Sequence, residues 1–149
     1  MINLFIEQTS PEVIMKKIQS GDWTFIMNNL CYIKDNCIIL DNQYFKYFAT
    51  KETYEIILTY IFNSLDTILT TYDTFVVHIN MKGLTVSDID KHLQFIQNVS
   101  SLFKDKYPNN LTKCFVHNAP FVFSKLLKLL SLLIDPETRN KIEVLSKHH

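Results

Sequence analysis

Two short apolar runs, "FVVHI" at 75–79 and "KCFVH" at 113–117, stand on either side of a long amphipathic segment at 86–107. Each run is rich in β-branched or aromatic residues and is bounded by turn-forming residues, the pattern of a buried strand. The segment between them places Ile89, Leu93, Ile96, Val99 and Phe103 at steps of three and four, which is one face of a helix. Two strands joined through a helix of this length cannot form a hairpin. They pair in parallel, with the helix as crossover. This unit alone directs the chain toward an α/β architecture.

The remaining segments extend the same alternation. Ser10-Pro11-Glu12 opens a helix with a capping serine, a proline at the first helical position and an acid in the first turn, and Gly21 ends it. The stretch 23–30 is ambiguous between strand and helix. Residues 37–40 lie between Asp35-Asn36 and Asp41-Asn42 and read as a short buried strand. Tyr54, Ile57, Ile61, Leu65 and Leu69 mark a helix over 50–69. Lys82-Gly83 is a turn. Ser87 is the expected cap of the following helix, with Asp90 completing a capping box. Helix is expected again over 121–134 and in a short turn from Asp135-Pro136, followed by a last strand at 142–145. The order is strand, helix, strand, helix, strand, helix, strand.

Composition fits one globular domain. The chain has 149 residues, 47% hydrophobic and 20% charged, with 15 basic and 15 acidic side chains. That balance leaves no electrostatic footprint for nucleic acid. Cys31, Cys37 and Cys114 supply no disulfide framework and fit a reducing compartment. The opening "MINLFIEQTSPEV" has no basic n-region and no long apolar core, so no signal peptide is expected. The longest apolar stretch, near 126–134, is interrupted by Lys128 and Ser131 and falls short of the roughly 20 residues of a membrane span. The chain reads as soluble and cytoplasmic. His148 and His149 read as the end of a purification tag and carry no argument.

The segment 121–134 is unusual for a soluble chain. On a helical wheel Ser124, Lys128 and Ser131 share one stripe with Lys125 beside it, and every other position is apolar. A surface helix needs only one apolar face. Periodicity alone permits a helix buried between layers, or one at an oligomer interface.

Four blocks point further. "FVVHINMKGLT" runs from a strand into a glycine turn, "DKYPNNLTK" ends a helix at Tyr-Pro, "CFVHNAPFVF" leaves a strand through Asn-Ala-Pro, and "LIDPETRNKI" is an Asp-Pro-x-Thr-x-x-Lys-Ile segment. Each has a physical reason. Gly83 supplies a turn that a side chain obstructs. Pro108 stops a helix. Asn118 can hydrogen-bond its turn, and Pro120 pre-sets the first φ of the next helix. Asp135 caps a helix whose first residue is Pro136. In this order and at this spacing, the blocks resemble the CRAL-TRIO family of lipid-binding and phosphatidylinositol-transfer proteins. The resemblance lies within 75–145 and marks 1–149 as a single minimal domain. It implies a mixed, mostly parallel sheet flanked by helices, with 121–134 as an apolar gate helix over a lipid. Lys125 and Lys128 would then snorkel toward headgroups.

The resemblance also implies a site. Thr138 and Lys141 match the family's headgroup threonine and lysine, and backbone N–H groups after Asp135-Pro136 are expected to help hold the phosphate. Asn109 stands where phosphatidylinositol binders often carry an acid, which changes the charge preference of that position. Asn80 stands where the family usually has aspartate. Phe75, Val77, Ile79, Cys114 and Val116 form the expected acyl-chain floor, with Phe123, Leu127 and Leu130 over it. Phe75 and Val77 replace the hydroxyl side chains of phosphatidylcholine binders, so no such headgroup site is expected there.

No metal and no cofactor are expected, only a phospholipid ligand and a transient membrane surface. His78 and His117 invite a metal or acid–base reading, but no third ligand stands at a sensible spacing, which favours a structural role. Nucleophile elbow, phosphate loop and dinucleotide fingerprint are all lacking, so an enzyme is not expected. No counterpart of the family's flanking modules is expected within these residues, and a homodimer covering an exposed edge is a hypothesis this raises. The rival reading is a divergent, BCH-type protein-interaction scaffold that binds small GTPases or their regulators.

Overall fold

A computed structural model describes residues 10–145. The expected absence of a leader and the reading of His148 and His149 lie outside those residues. In chain order the elements are α1 (Pro11–Gln19), α2 (Trp23–Leu30), β1 (Cys31–Lys34), β2 (Cys37–Asp41), α3 (Asn42–Phe48), α4 (Tyr54–Leu69), β3 (Phe75–Asn80), α5 (Val86–Lys106), β4 (Leu111–His117), α6 (Phe123–Leu130), α7 (Pro136–Asn140) and β5 (Ile142–Val144). The strands form one sheet in the order β1-β2-β3-β4-β5. Only the β1–β2 pair is antiparallel.

The strand order follows the chain order and never doubles back. Parallel crossovers are right-handed, so successive steps toward one edge put every crossover helix on the same face. The register fixes that face. Ile38 pairs with Val77 and Val77 with Cys114, while Leu40 pairs with Ile79 and Ile79 with Val116. These six side chains point toward α4, α5 and α6. Ile39, His78 and Phe115 occupy the other face.

Two buried clusters result. The larger packs α1 to α4 against the first three strands around Ile14, Ile26, Tyr44, Phe48, Ile57 and Phe75. The smaller gathers Leu84, Ile89, Val116, Phe123, Leu126 and Leu130 beneath α6.

The structure adjusts several expectations. The ambiguous stretch 23–30 is helical, because Asp22 caps it by accepting from the Phe25 N–H at 3.3 Å. β1 and α3 were not foreseen; the left-handed Asp35 turns a hairpin whose loop had looked only like a strand boundary. α4 begins at Tyr54 rather than residue 50, since Thr53 Oγ1 accepts from the Thr50 N–H and donates to the Phe48 carbonyl. The cap of α5 is Thr85 with Asp88, not Ser87 with Asp90. A capping residue keeps an extended backbone, and Thr85 has φ −121° and ψ 164° whereas Ser87 lies inside the helix.

α6 is also shorter than the expected 121–134. Ser131 folds both its hydroxyl and its N–H back onto the Lys128 carbonyl, and Leu133 turns onto Leu130. Asp135 is extended, as a residue before proline prefers.

Candidate functional site

Between the Val77 face of the sheet and its helices lies a cavity of about 550 Å³. Its floor is Ile38, Leu40, Val77, Ile79, Cys114 and Val116. Ile61 and Leu65 of α4 and Phe95, Val99 and Phe103 of α5 form the walls, and Phe123, Leu127 and Leu130 of α6 close it. The sequence explains why it stays open. Only Ile89 and His92 of α5 are fully buried. The later stripe positions face a space that the protein's own side chains do not fill.

Charged side chains enter the lining from two segments. Lys104 and Asp105 come from the last turns of α5, near Ser100, and Asp135, Thr138 and Lys141 come from α7 and its caps. Lys104 and Asp105 are exposed, so this polar group marks where the cavity meets solvent. Asp135 holds the group together. Its Oδ1 accepts from the Thr138 N–H at 2.7 Å. The Thr138 backbone and side-chain hydrogen bonds hold the carboxyl below the usual carboxylate range, and Lys104 and Lys141 add to the effect.

The expected site residues fall as follows. Val77, Ile79, Cys114, Val116, Phe123, Leu127 and Leu130 line the cavity, and Thr138 and Lys141 lie in its polar group. Phe75 does not line it; the ring is fully buried beside it, edge-on to Phe103 and Tyr107 at 5.7 and 5.6 Å. Asn109 is exposed and outside the lining. The Thr138 N–H is taken by Asp135, the expected cap, which leaves one fewer of the backbone N–H groups expected to help hold the phosphate. Sequence reasoning missed Ser100, Lys104 and Asp105. Their signal was the spacing from Ile96 and Phe103, which puts them beside the apolar stripe of α5.

Surrounding contacts stiffen the site. Tyr107 donates to Asp66 Oδ1 at 2.7 Å and so fastens the end of α5 to α4. The buried Asn80 accepts from the Lys82 N–H and from Asn118 Nδ2, each at 3.1 Å, which fixes the turn after β3 to the left-handed Asn118 after β4. Burial pushes the Cys114 thiol up to about 12. On the opposite face His78 Nδ1 and His117 Nε2 lie 2.9 Å apart, one ring donating to the other. Among the described residues no three metal-ligating side chains gather. No described helix is long and apolar enough to cross a membrane.

The outer surface of α6 differs from its cavity side. Phe121 and Leu132, just beyond its two ends, are 101% and 97% exposed. Lys125 and Lys128 are exposed between them.

Comparison with known proteins places these features in context. Residues 34–149 match the CRAL/TRIO domain family, a match that begins well before the motifs at 75–145. The chain is similar to the SEC14 cytosolic factor of Kluyveromyces lactis, with 30% identity over 71 residues, 48% of this chain and 24% of that protein. It is similar to the Sec14 cytosolic factor of Schizosaccharomyces pombe, with 31% identity over 70 residues, 47% of this chain and 24% of that protein. The matched stretch thus spans about a quarter of the length of these curated relatives. The crystal structure of Sfh5 superposes with a TM-score of 0.66 and 18% identity, over 82% of this chain and 50% of that one, a likeness of fold.

Proposed function

The chain belongs to the CRAL/TRIO domain family, and on that premise we propose that it takes up a phospholipid, with an inositol headgroup, and carries it between membranes. The observation that carries this reading is the cavity, apolar over floor, walls and cover and charged only where it meets solvent. Its volume lies within the range of about 300–1,000 Å³ usual for ligand pockets. Each methylene buried there contributes about 0.8 kcal/mol, so an acyl chain supplies most of the affinity. The headgroup then selects the lipid. Thr138 offers a hydroxyl and Lys141 an ammonium, a fitting pair for a phosphate.

In this reading α6 is the gate. Phe123, Leu126 and Leu130 are buried on its inner side. Phe121 and Leu132 reach into a bilayer surface while Lys125 and Lys128 meet headgroups, which makes the protein a peripheral membrane visitor in the cytoplasm. Residues 1–149 act as one lipid-binding unit. The edge strands β1 and β5, with exposed Ile33 and Val144, are where a homodimer would form.

The test is transfer of labelled phosphatidylinositol between vesicles by the wild type and by Leu127→Trp, which fills the cavity from a half-buried helical position. Transfer by the wild type and loss of it in the variant support the reading. A wild type that neither binds nor transfers lipid overturns it in favour of a protein-interaction scaffold.

A further inference from the structure

Lys104 belongs to the polar group of the cavity, although no motif points to it. It lies one helical turn after Ser100 and next to Phe103, on the part of α5 that faces the cavity. Lys141 approaches from α7. Its carbonyl accepts from the Cys114 N–H at 2.9 Å, so its backbone is fixed to the sheet. Among the described residues neither lysine is in a salt bridge. The carboxylate of Asp135 lies within electrostatic reach of both.

We infer that Lys104 is a second headgroup-binding cation, which with Lys141 clamps the phosphate of a hydroxyl-rich phosphodiester lipid. The inference rests on the lipid-binding reading above and names its ligand class. Two ammonium groups brought by separate elements grip a phosphate from two sides, as one flexible lysine cannot. The acids set the rest of the choice. Asp105 and Asp135 balance the two lysines in charge. A single phosphodiester charge fits between the ammonium groups, and sugar hydroxyls donate to the carboxylates. A headgroup with further phosphates brings like charge against both acids and is disfavoured.

The test is extraction from vesicles of three labelled lipids with identical chains: phosphatidylinositol, phosphatidylinositol bisphosphate and diacylglycerol. Lys104 is exposed, so Lys104→Gln keeps the fold, which circular dichroism checks. The variant is expected to lose roughly tenfold in phosphatidylinositol uptake, the effect of one charge-assisted hydrogen bond. Its diacylglycerol uptake is expected to be unchanged, and Lys104→Arg to restore most of the loss. The wild type is expected to take phosphatidylinositol in preference to the bisphosphate. Equal phosphatidylinositol uptake by Lys104→Gln and wild type, or a wild-type preference for the bisphosphate, overturns the inference and leaves the lipid-binding reading standing. If the wild type extracts none of the three, the lipid-binding reading itself fails.

Discussion

The phenol oxygen of Tyr54 lies 2.6 Å from Nδ1 of His92, and Nε2 of the same ring has no hydrogen-bond partner. His92 is 1% exposed, with Phe45 edge-on at 4.9 Å. Burial therefore lowers its pKa, with the charge of Lys91 adding to the effect. His78, through burial and the charge of His117, and His117, through burial, shift the same way. A histidine with a lowered folded pKa stays neutral in the fold but charges in the unfolded chain near pH 6.5. The unfolded state then binds more protons, so stability falls as pH drops below about 6.5 and levels off only beneath the folded pKa values. Urea unfolding at pH 7.5 and at pH 5.5 is expected to show a lower midpoint at the acid pH. His92→Phe is expected to flatten part of that difference. Equal midpoints at the two pH values in the wild type contradict this.

Cys114 reports on the cavity. Its thiol is pushed up to about 12 and lies on the cavity floor, so little thiolate is present at neutral pH and alkylation is slow. Loading with phospholipid is expected to slow alkylation of Cys114 severalfold further, measured by mass spectrometry of the modified peptide, with Cys37 as the internal comparison. Unchanged Cys114 kinetics on loading would place the lipid elsewhere.

Phe121 and Leu132 do not serve the fold, being 101% and 97% exposed. Phe121→Ser with Leu132→Ser is expected to leave the melting temperature within a degree or two and to weaken association with anionic vesicles by roughly a hundredfold or more, given about 1.5–3 kcal/mol for each large apolar side chain buried. Vesicle flotation measures it. Undiminished flotation removes these two residues from the membrane contact.

Asn80 stands beside a buried carboxylate. Its register partner across β2 and β3 is the buried Asp41, whose carboxyl burial already raises above its ordinary range. Asn80→Asp sets two carboxylates together and raises one pKa further. The variant is expected to lose about 1–3 kcal/mol at pH 7 and to recover part of it as the pH falls toward 5, measured by urea unfolding. Full stability at pH 7 excludes a close Asp41–Asn80 contact.

Much of the sheet and the cavity floor was legible because a period of two and a period of 3.6 are local properties of sequence. Val77, Ile79, Cys114 and Val116 share a face by alternation, and Leu127 and Leu130 share one by helical spacing. What escaped depended on three dimensions. β1 rests on the backbone of Asp35, which carries no pattern of its own. Phe75 obeys the alternation of β3 but falls beneath Phe103 and Tyr107, beside a break in register between Phe75 and Val76. Lys104 looked like any solvated lysine in a last turn, because α7 approaches α5 only through the fold. Thr138 and Lys141 were visible only through a motif, and Asn109, the third of that set, lies outside the cavity.

The most direct measurement is native mass spectrometry of freshly purified protein, followed by organic extraction and identification of the lipid. The account predicts one phospholipid per chain, with an inositol headgroup. Protein that carries no lipid, and takes up none from mixed vesicles, would contradict it.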